Sequence, residues 1–161
     1  MLTVTSIRIV SSDISPQLLA ILRDQVSEAD RKRLMIMAMD ASEDHFVEGS
    51  FDLAVGTAIL HHILDPSDTI GACYQGLKPG GHAIFFEPFE AGHFVLRLLY
   101  EQLLERKNEL KISGEVAEVL RRLILDCHVR KGSDKSAEIC ELLDDKWLFT
   151  REYFEQEKVK H

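Results

Sequence analysis

Six acidic and imidazole side chains have the types and positions that chemistry asks for: Asp13, Asp40, Glu87, His61, His62 and His93. Asp13 and Asp40 each close a run of β-forming residues. A carboxylate at a strand end accepts both hydroxyls of a vicinal diol, and its charge strengthens each bond. A second carboxylate, one strand over, can accept from an exocyclic amine, so two such acids on one rim suit a nucleoside. Aspartate also hydrogen-bonds its own backbone two residues on. Spacing alone therefore leaves open whether these acids hold a ligand or tighten turns. His61 and His62 are candidate general bases, since imidazole titrates near neutrality and takes a proton from a hydroxyl or amine. The alternative for each is packing at a helix start. Adjacent residues point in different directions, so at most one is expected to face a site, and shared metal ligation is not expected. Glu87 and His93 follow the last strand-like run, where either could touch a substrate. A loop acid with no special role is the other account of Glu87.

The elements that must position these residues alternate in type up to about Pro88. Residues 3–10 are rich in β-branched side chains and read as a strand. Ser15-Pro16 supplies an N-cap and a first-turn proline, and Leu18, Leu19, Leu22 and Val26 mark one helix face. Residues 34–39 are continuously apolar, as in a strand buried on both faces. Residues 51–56 form a third strand, and Asp65-Pro66 opens a helix running towards Leu77. Lys78-Pro79-Gly80-Gly81 stops that helix, and a fourth strand follows over 82–87. Such alternation implies βαβ crossovers: an α/β fold with a mostly parallel sheet of about four strands and helices on both faces. Ligands in such sheets bind at the carboxyl ends of the strands, where Asp13, Asp40, Gly56-Thr57 and Glu87 fall.

Beyond Phe94 only helical periodicity remains. Helices are expected to about Lys107, from Gly114 to about Val129 with Val116, Val119, Leu120, Leu123 and Ile124 inward, over 137–143, and over 150–156. Residues 131–135 read as a loop. The expectation is one domain, residues 1–161, with an α/β half over 1–90 and a helical lid or substrate segment over 91–161.

Composition narrows the partners. The net charge of -8 disfavours nucleic acid, and 45% hydrophobic with 29% charged residues suits a globular chain. Cys73, Cys127 and Cys140 have neither zinc-knuckle nor redox spacing and read as buried or half-buried thiols. No secretion signal or bilayer-length apolar run is present, so a cytoplasmic location is expected.

The segments Ser12-Asp13-Ile14-Ser15-Pro16, Met39-Asp40-Ala41, Gly49-Ser50-Phe51-Asp52-Leu53, Leu60-His61-His62, Leu77-Lys78-Pro79-Gly80-Gly81 and Phe86-Glu87-Pro88 occur in this order. Together they resemble the Rossmann-like (class I) S-adenosylmethionine-dependent methyltransferases over the first half of the chain. Residues 144–147 and 149–154 look like the helix leading into that family's last strands. The resemblance implies S-adenosylmethionine as cofactor and methyl transfer to a small-molecule acceptor. It implies that Asp13, with Ile14, holds the ribose. Asp40 and Ala41 would contact the adenine, and Gly56 and Thr57 would lie under the methionine portion. The family's strand and glycine-rich turn before the first segment have no counterpart among these residues, nor has its final antiparallel pair. The expectation is therefore a truncated domain in which the strand normally between the first and third strands is missing. Unpaired sheet edges would then favour self-association as a homo-oligomer. The alternative is a non-catalytic methyltransferase-like interaction module or a gene fragment.

Overall fold

The computed structural model describes residues 7–43, 46–130 and 137–160. The chain divides into two compact units, Met1–His45 and Phe46–His161. In the first unit, strands β1 (Ile9–Asp13) and β2 (Leu34–Ala38) pair in parallel, with Ile9 opposite Leu34 and Asp13 opposite Ala38. The strand expected over 3–10 thus lies further along, ending on Asp13 itself, while residues 3–6 fall outside the described ones. Helices α1 (Pro16–Gln25) and α2 (Glu28–Arg31) form the crossover.

Local chemistry starts both helices. Ser15 Oγ accepts from Leu18 N–H at 3.4 Å with Pro16 in the first turn, and Ser27 Oγ accepts from Asp30 N–H at 3.3 Å. The Ser27 hydroxyl and the Arg33 guanidinium in turn hold the Asp30 carboxyl below its usual range. Of the apolar face expected on α1 only Leu19 is buried, and Leu18 is exposed. Nor is β2 buried on both faces, because Met35 and Met37 are exposed. Among the described residues of this unit, the two-stranded sheet packs against α1 and α2. There is too little material to enclose two faces, so an apolar run alone does not ensure burial.

The second unit contains β3 (Phe51–Thr57), a 3₁₀ turn (Leu60–His62), α3 (Pro66–Gly76), β4 (Leu77–Phe86), α4 (Glu90–Glu105), α5 (Gly114–Arg130), α6 (Ala137–Leu142) and α7 (Arg151–Lys160). Strands β3 and β4 pair in parallel from Leu53 opposite His82 to Thr57 opposite Phe86. The four strands are therefore parallel in pairs, as the α/β alternation requires, and they form two separate two-stranded sheets. Lys78-Pro79-Gly80-Gly81 does not stand apart as a turn. It is absorbed into the start of β4, with an irregular register between Phe51 and Leu53 and Gly80 at φ +81° taking the bend.

Helix α3 begins as expected, the Asp65 carboxylate accepting from Ser67 N–H at 3.1 Å ahead of Pro66. In α5 the buried stripe is Ala117, Leu120 and Cys127, with Ile124 half-buried, while Val116 and Val119 are exposed. The stripe keeps helical spacing but is rotated by about one residue from the expected face, because the contact with α4 selects it. Leu60, Cys140, Leu148 and Phe149 are buried, and Phe149 packs its ring against Tyr153 and Phe154 at 5.2 and 5.3 Å between centroids. Cys127 and Cys140 are buried and Cys73 half-buried, all as free thiols. The loop expected over 131–135 lies outside the described residues. Among the described residues, no helix is long and apolar enough to cross a membrane.

Candidate active site

In the first unit, parallel pairing brings the two aspartates to one rim. Met39 N–H donates to the Asp13 carbonyl at 3.1 Å, which carries β2 past the end of β1 and leaves Asp40 just beyond. Each carboxylate has one oxygen engaged locally. Asp13 Oδ1 accepts from Ser15 N–H at 2.7 Å, and Asp40 Oδ1 accepts from Ser42 N–H at 2.9 Å and from its hydroxyl at 2.7 Å. These turns fix both side chains against the strand ends. Ile14, between them in sequence, is exposed, and Ala41 is half-buried.

In the second unit the site is built around Glu87. Strand β3 ends at Thr57, and Ala58 turns the chain at φ +53° while its N–H donates to the Phe86 carbonyl at 2.9 Å. That turn aims three successive N–H groups at one point just past the end of β4, where the Glu87 carboxylate sits. Oε1 accepts from Ile59 and Leu60 N–H at 2.9 Å each, and Oε2 from His61 N–H at 3.3 Å. The His61 ring closes the cradle, its Nδ1 lying 2.6 Å from Oε2. The Glu87 side chain is 0% exposed. Burying a carboxylate is unfavourable by several kcal/mol unless its lone pairs are met, and here four donors meet them. An ionised carboxylate only accepts, so Nδ1 donates to it, and in the neutral ring the lone pair of His61 is on Nε2.

A strap over residues 143–150 lies across this turn. Lys146 N–H donates to the His61 carbonyl at 2.7 Å, and Trp147 Nε1–H to the Ile63 carbonyl at 2.8 Å. Phe149 N–H donates to the Pro88 carbonyl at 2.9 Å, and Glu90 N–H returns to the Phe149 carbonyl at 2.8 Å. The strap places Asp145 Oδ1 3.5 Å from both His61 Nε2 and His62 Nδ1. Its other oxygen, Oδ2, pairs at 3.2 Å with the buried Arg130 guanidinium, which also reaches Asp126 and the Trp147 carbonyl. His62 Nδ1 lies 3.0 Å from the Asp144 carbonyl. The two imidazoles do not diverge as neighbours on a regular helix would. Their centroids are 4.1 Å apart, because one strap holds both.

The remaining candidates are placed less suggestively. His93 Nδ1 lies 3.2 Å from the Phe89 carbonyl of its own first helical turn. Thr57 is exposed. A Cβ on Gly56 would come within 2.6 Å of the Phe85 ring, so ring packing by itself demands glycine there. Asp145 and Arg130 were not legible as site residues. The 144–147 segment stands out in the sequence only as part of a resemblance, and nothing local reveals that it reaches back to His61.

Residues 1–85, a little over half of the chain, match the family model described as "Methyltransferase domain". A ubiquinone biosynthesis O-methyltransferase of Aromatoleum aromaticum is 32% identical over 76 residues, covering 45% of this chain and 31% of that protein. The polyketide synthase-nonribosomal peptide synthetase ACE1 of Pyricularia oryzae is 31% identical over 80 residues, covering 47% of this chain and 2% of that protein. The chain thus spans less than a third of either relative. Its fold is like that of the CurJ carbon methyltransferase, with TM-score 0.56 and 16% identity over 95% of this chain and 34% of that one. With the family motifs lying at the strand ends, the chain belongs to the class I, S-adenosylmethionine-dependent methyltransferase domain family.

Proposed function

We propose that the protein transfers a methyl group from S-adenosylmethionine to a small-molecule acceptor, with His61 as the general base. The observation that carries this reading is the 2.6 Å contact between His61 Nδ1 and a fully buried Glu87 carboxylate. Glu87 fixes the ring and its tautomer and stabilises the imidazolium that forms when Nε2 takes a proton. It acts through His61 and does not touch the acceptor. An acceptor that must lose a proton, a hydroxyl or a carbon flanked by carbonyls, needs such a base. A sulfide or tertiary amine does not. His62 and His93 are assigned to the acceptor side of the site, and the helical segment over 91–161 to covering it.

Bound S-adenosylmethionine supplies an electrophilic methyl group on a sulfonium. The acceptor chemistry of the first unit fits its nucleoside part. Two carboxylates on one rim suit a ribose diol at Asp13 beside Ile14, and an adenine amine at Asp40 beside Ala41. Gly56 and Thr57 are assigned to the methionine portion. Among the described residues each sheet has only two strands, and so short a sheet supports self-association of the chain in solution.

Calorimetry with S-adenosylhomocysteine tests the cofactor assignment. A saturable heat that Asp13→Asn abolishes is expected, and no heat at millimolar ligand would remove the enzymatic reading. In a turnover assay with a hydroxyl or 1,3-dicarbonyl acceptor, His61→Gln should lower kcat by about 100-fold or more with little change in KM.

A further inference from the structure

The lone pair on His61 Nε2 does not face open space. It faces Asp145 Oδ1 at 3.5 Å, so two electron-rich atoms confront each other with nothing attractive between them unless a proton or a cation intervenes. His62 Nδ1 approaches the same oxygen, also at 3.5 Å, and the three atoms lie within 4.8 Å of one another. We propose that His61, His62 and Asp145 form a binding site for a divalent transition-metal ion of the zinc type.

The geometry fits the ion. Nitrogen and oxygen ligands stand about 2.0–2.2 Å from zinc, which puts two ligand atoms of a tetrahedral site about 3.4 Å apart. Both contacts to Asp145 Oδ1 have that length. Two imidazoles with one carboxylate select zinc and its neighbours over magnesium or calcium, which prefer all-oxygen sites. Three protein ligands leave a fourth position for water or another small ligand.

The supporting contacts are those a metal site needs. Glu87 holds the Nδ1 proton of His61 and so aims Nε2, and Arg130 holds Asp145 Oδ2 and so aims Oδ1. An ion has a way in, since the side chains of His62 and Asp145 are 43% and 41% exposed against 9% for His61. Binding replaces the contacts of His62 Nδ1 with Asp144, 3.0 Å to its carbonyl and 3.7 Å to its carboxylate Oδ1, and moves that ring's proton to Nε2. Binding itself is independent of the methyl-transfer reading. Its consequence rests on that reading: an ion on Nε2 occupies the lone pair that the base uses, so zinc is an inhibitor of turnover.

The test is a titration of the untagged, metal-free chain with zinc chloride by calorimetry, and with cobalt(II) by absorption. One ion per chain and the intense ligand-field bands of tetrahedral cobalt are expected. Asp145→Asn and His62→Gln should each weaken binding by at least about 10- to 100-fold, whereas His82→Gln, at an exposed histidine elsewhere on β4, should change nothing. Asp145→Glu should retain binding, which separates loss of a ligand from loss of the strap's fold. Absence of saturable binding overturns the proposal, as does binding that both ligand variants leave intact; a proton alone then bridges His61 and Asp145. Failure of the methyl-transfer reading shows separately, in the absence of S-adenosylhomocysteine heat from metal-free protein.

Discussion

Glu87 has the most demanding environment of any side chain in the candidate site. Its carboxylate receives three backbone N–H groups and an imidazole. Glu87→Gln puts an amide N–H among those donors, leaving at least one buried polar group unpaired. We expect a loss of about 2–4 kcal/mol in urea unfolding and broadening of the His61 ring resonances. An unchanged midpoint would mean that the cradle does not hold the turn. Gly56 is constrained by shape. Its missing Cβ makes room for the Phe85 ring, so Gly56→Ala should cost about 1–3 kcal/mol by denaturant midpoint. The burial of Cys73 gives a prediction of known sign. Burial raises the pKa of its thiol, so less thiolate is present at pH 8 than in a free cysteine. Alkylation of Cys73 by iodoacetamide, followed by peptide mass, should be slower in the native chain than in urea.

Among the elements, the strap over 143–150 makes hydrogen bonds that reach more than eighty residues back along the chain. It meets the 3₁₀ turn through the Lys146 backbone and the Trp147 indole, and the end of β4 through Phe149. Trp147 is the chain's one tryptophan, so its fluorescence reports on the strap alone. Trp147→Phe removes the bond to the Ile63 carbonyl while keeping most of the aromatic area. It should lower stability by about 1 kcal/mol, and cobalt(II) should quench the wild-type emission if the ion binds beside the strap. The helix starts belong to the same scale. Ser15-Pro16 and Asp65-Pro66 are readable because a cap acts over three residues, and both helices begin where those residues say. The inward face of α5 was not readable to one residue, since neighbouring apolar stripes on a helix differ only in which one meets α4.

At the scale of the whole molecule, burial is thin. Met35 on β2, Leu53 and Val55 on β3, and Ile84 and Phe86 on β4 are all exposed, Phe86 by 63%. Strands this apolar normally lie between layers. Their uncovered faces should bind the dye ANS and produce concentration-dependent sedimentation. A monomer with no ANS signal across a hundredfold range of concentration would show that these faces are covered in solution. The charge of -8 opposes association at low ionic strength, so added salt should strengthen it.

The sequence by itself determined the strand and helix alternation, the parallel class, the caps and the family, because each depends on residues close together in the chain or on motifs in fixed order. Asp13 and Asp40 could be placed at strand ends for the same reason. Only the tertiary structure decided that Glu87 serves His61, 26 residues before it, and that both histidines share Asp145 across more than eighty positions. It also decided that the four strands form two pairs. Such contacts are set by how β3, β4 and the strap close on one another, and no local propensity encodes that closure.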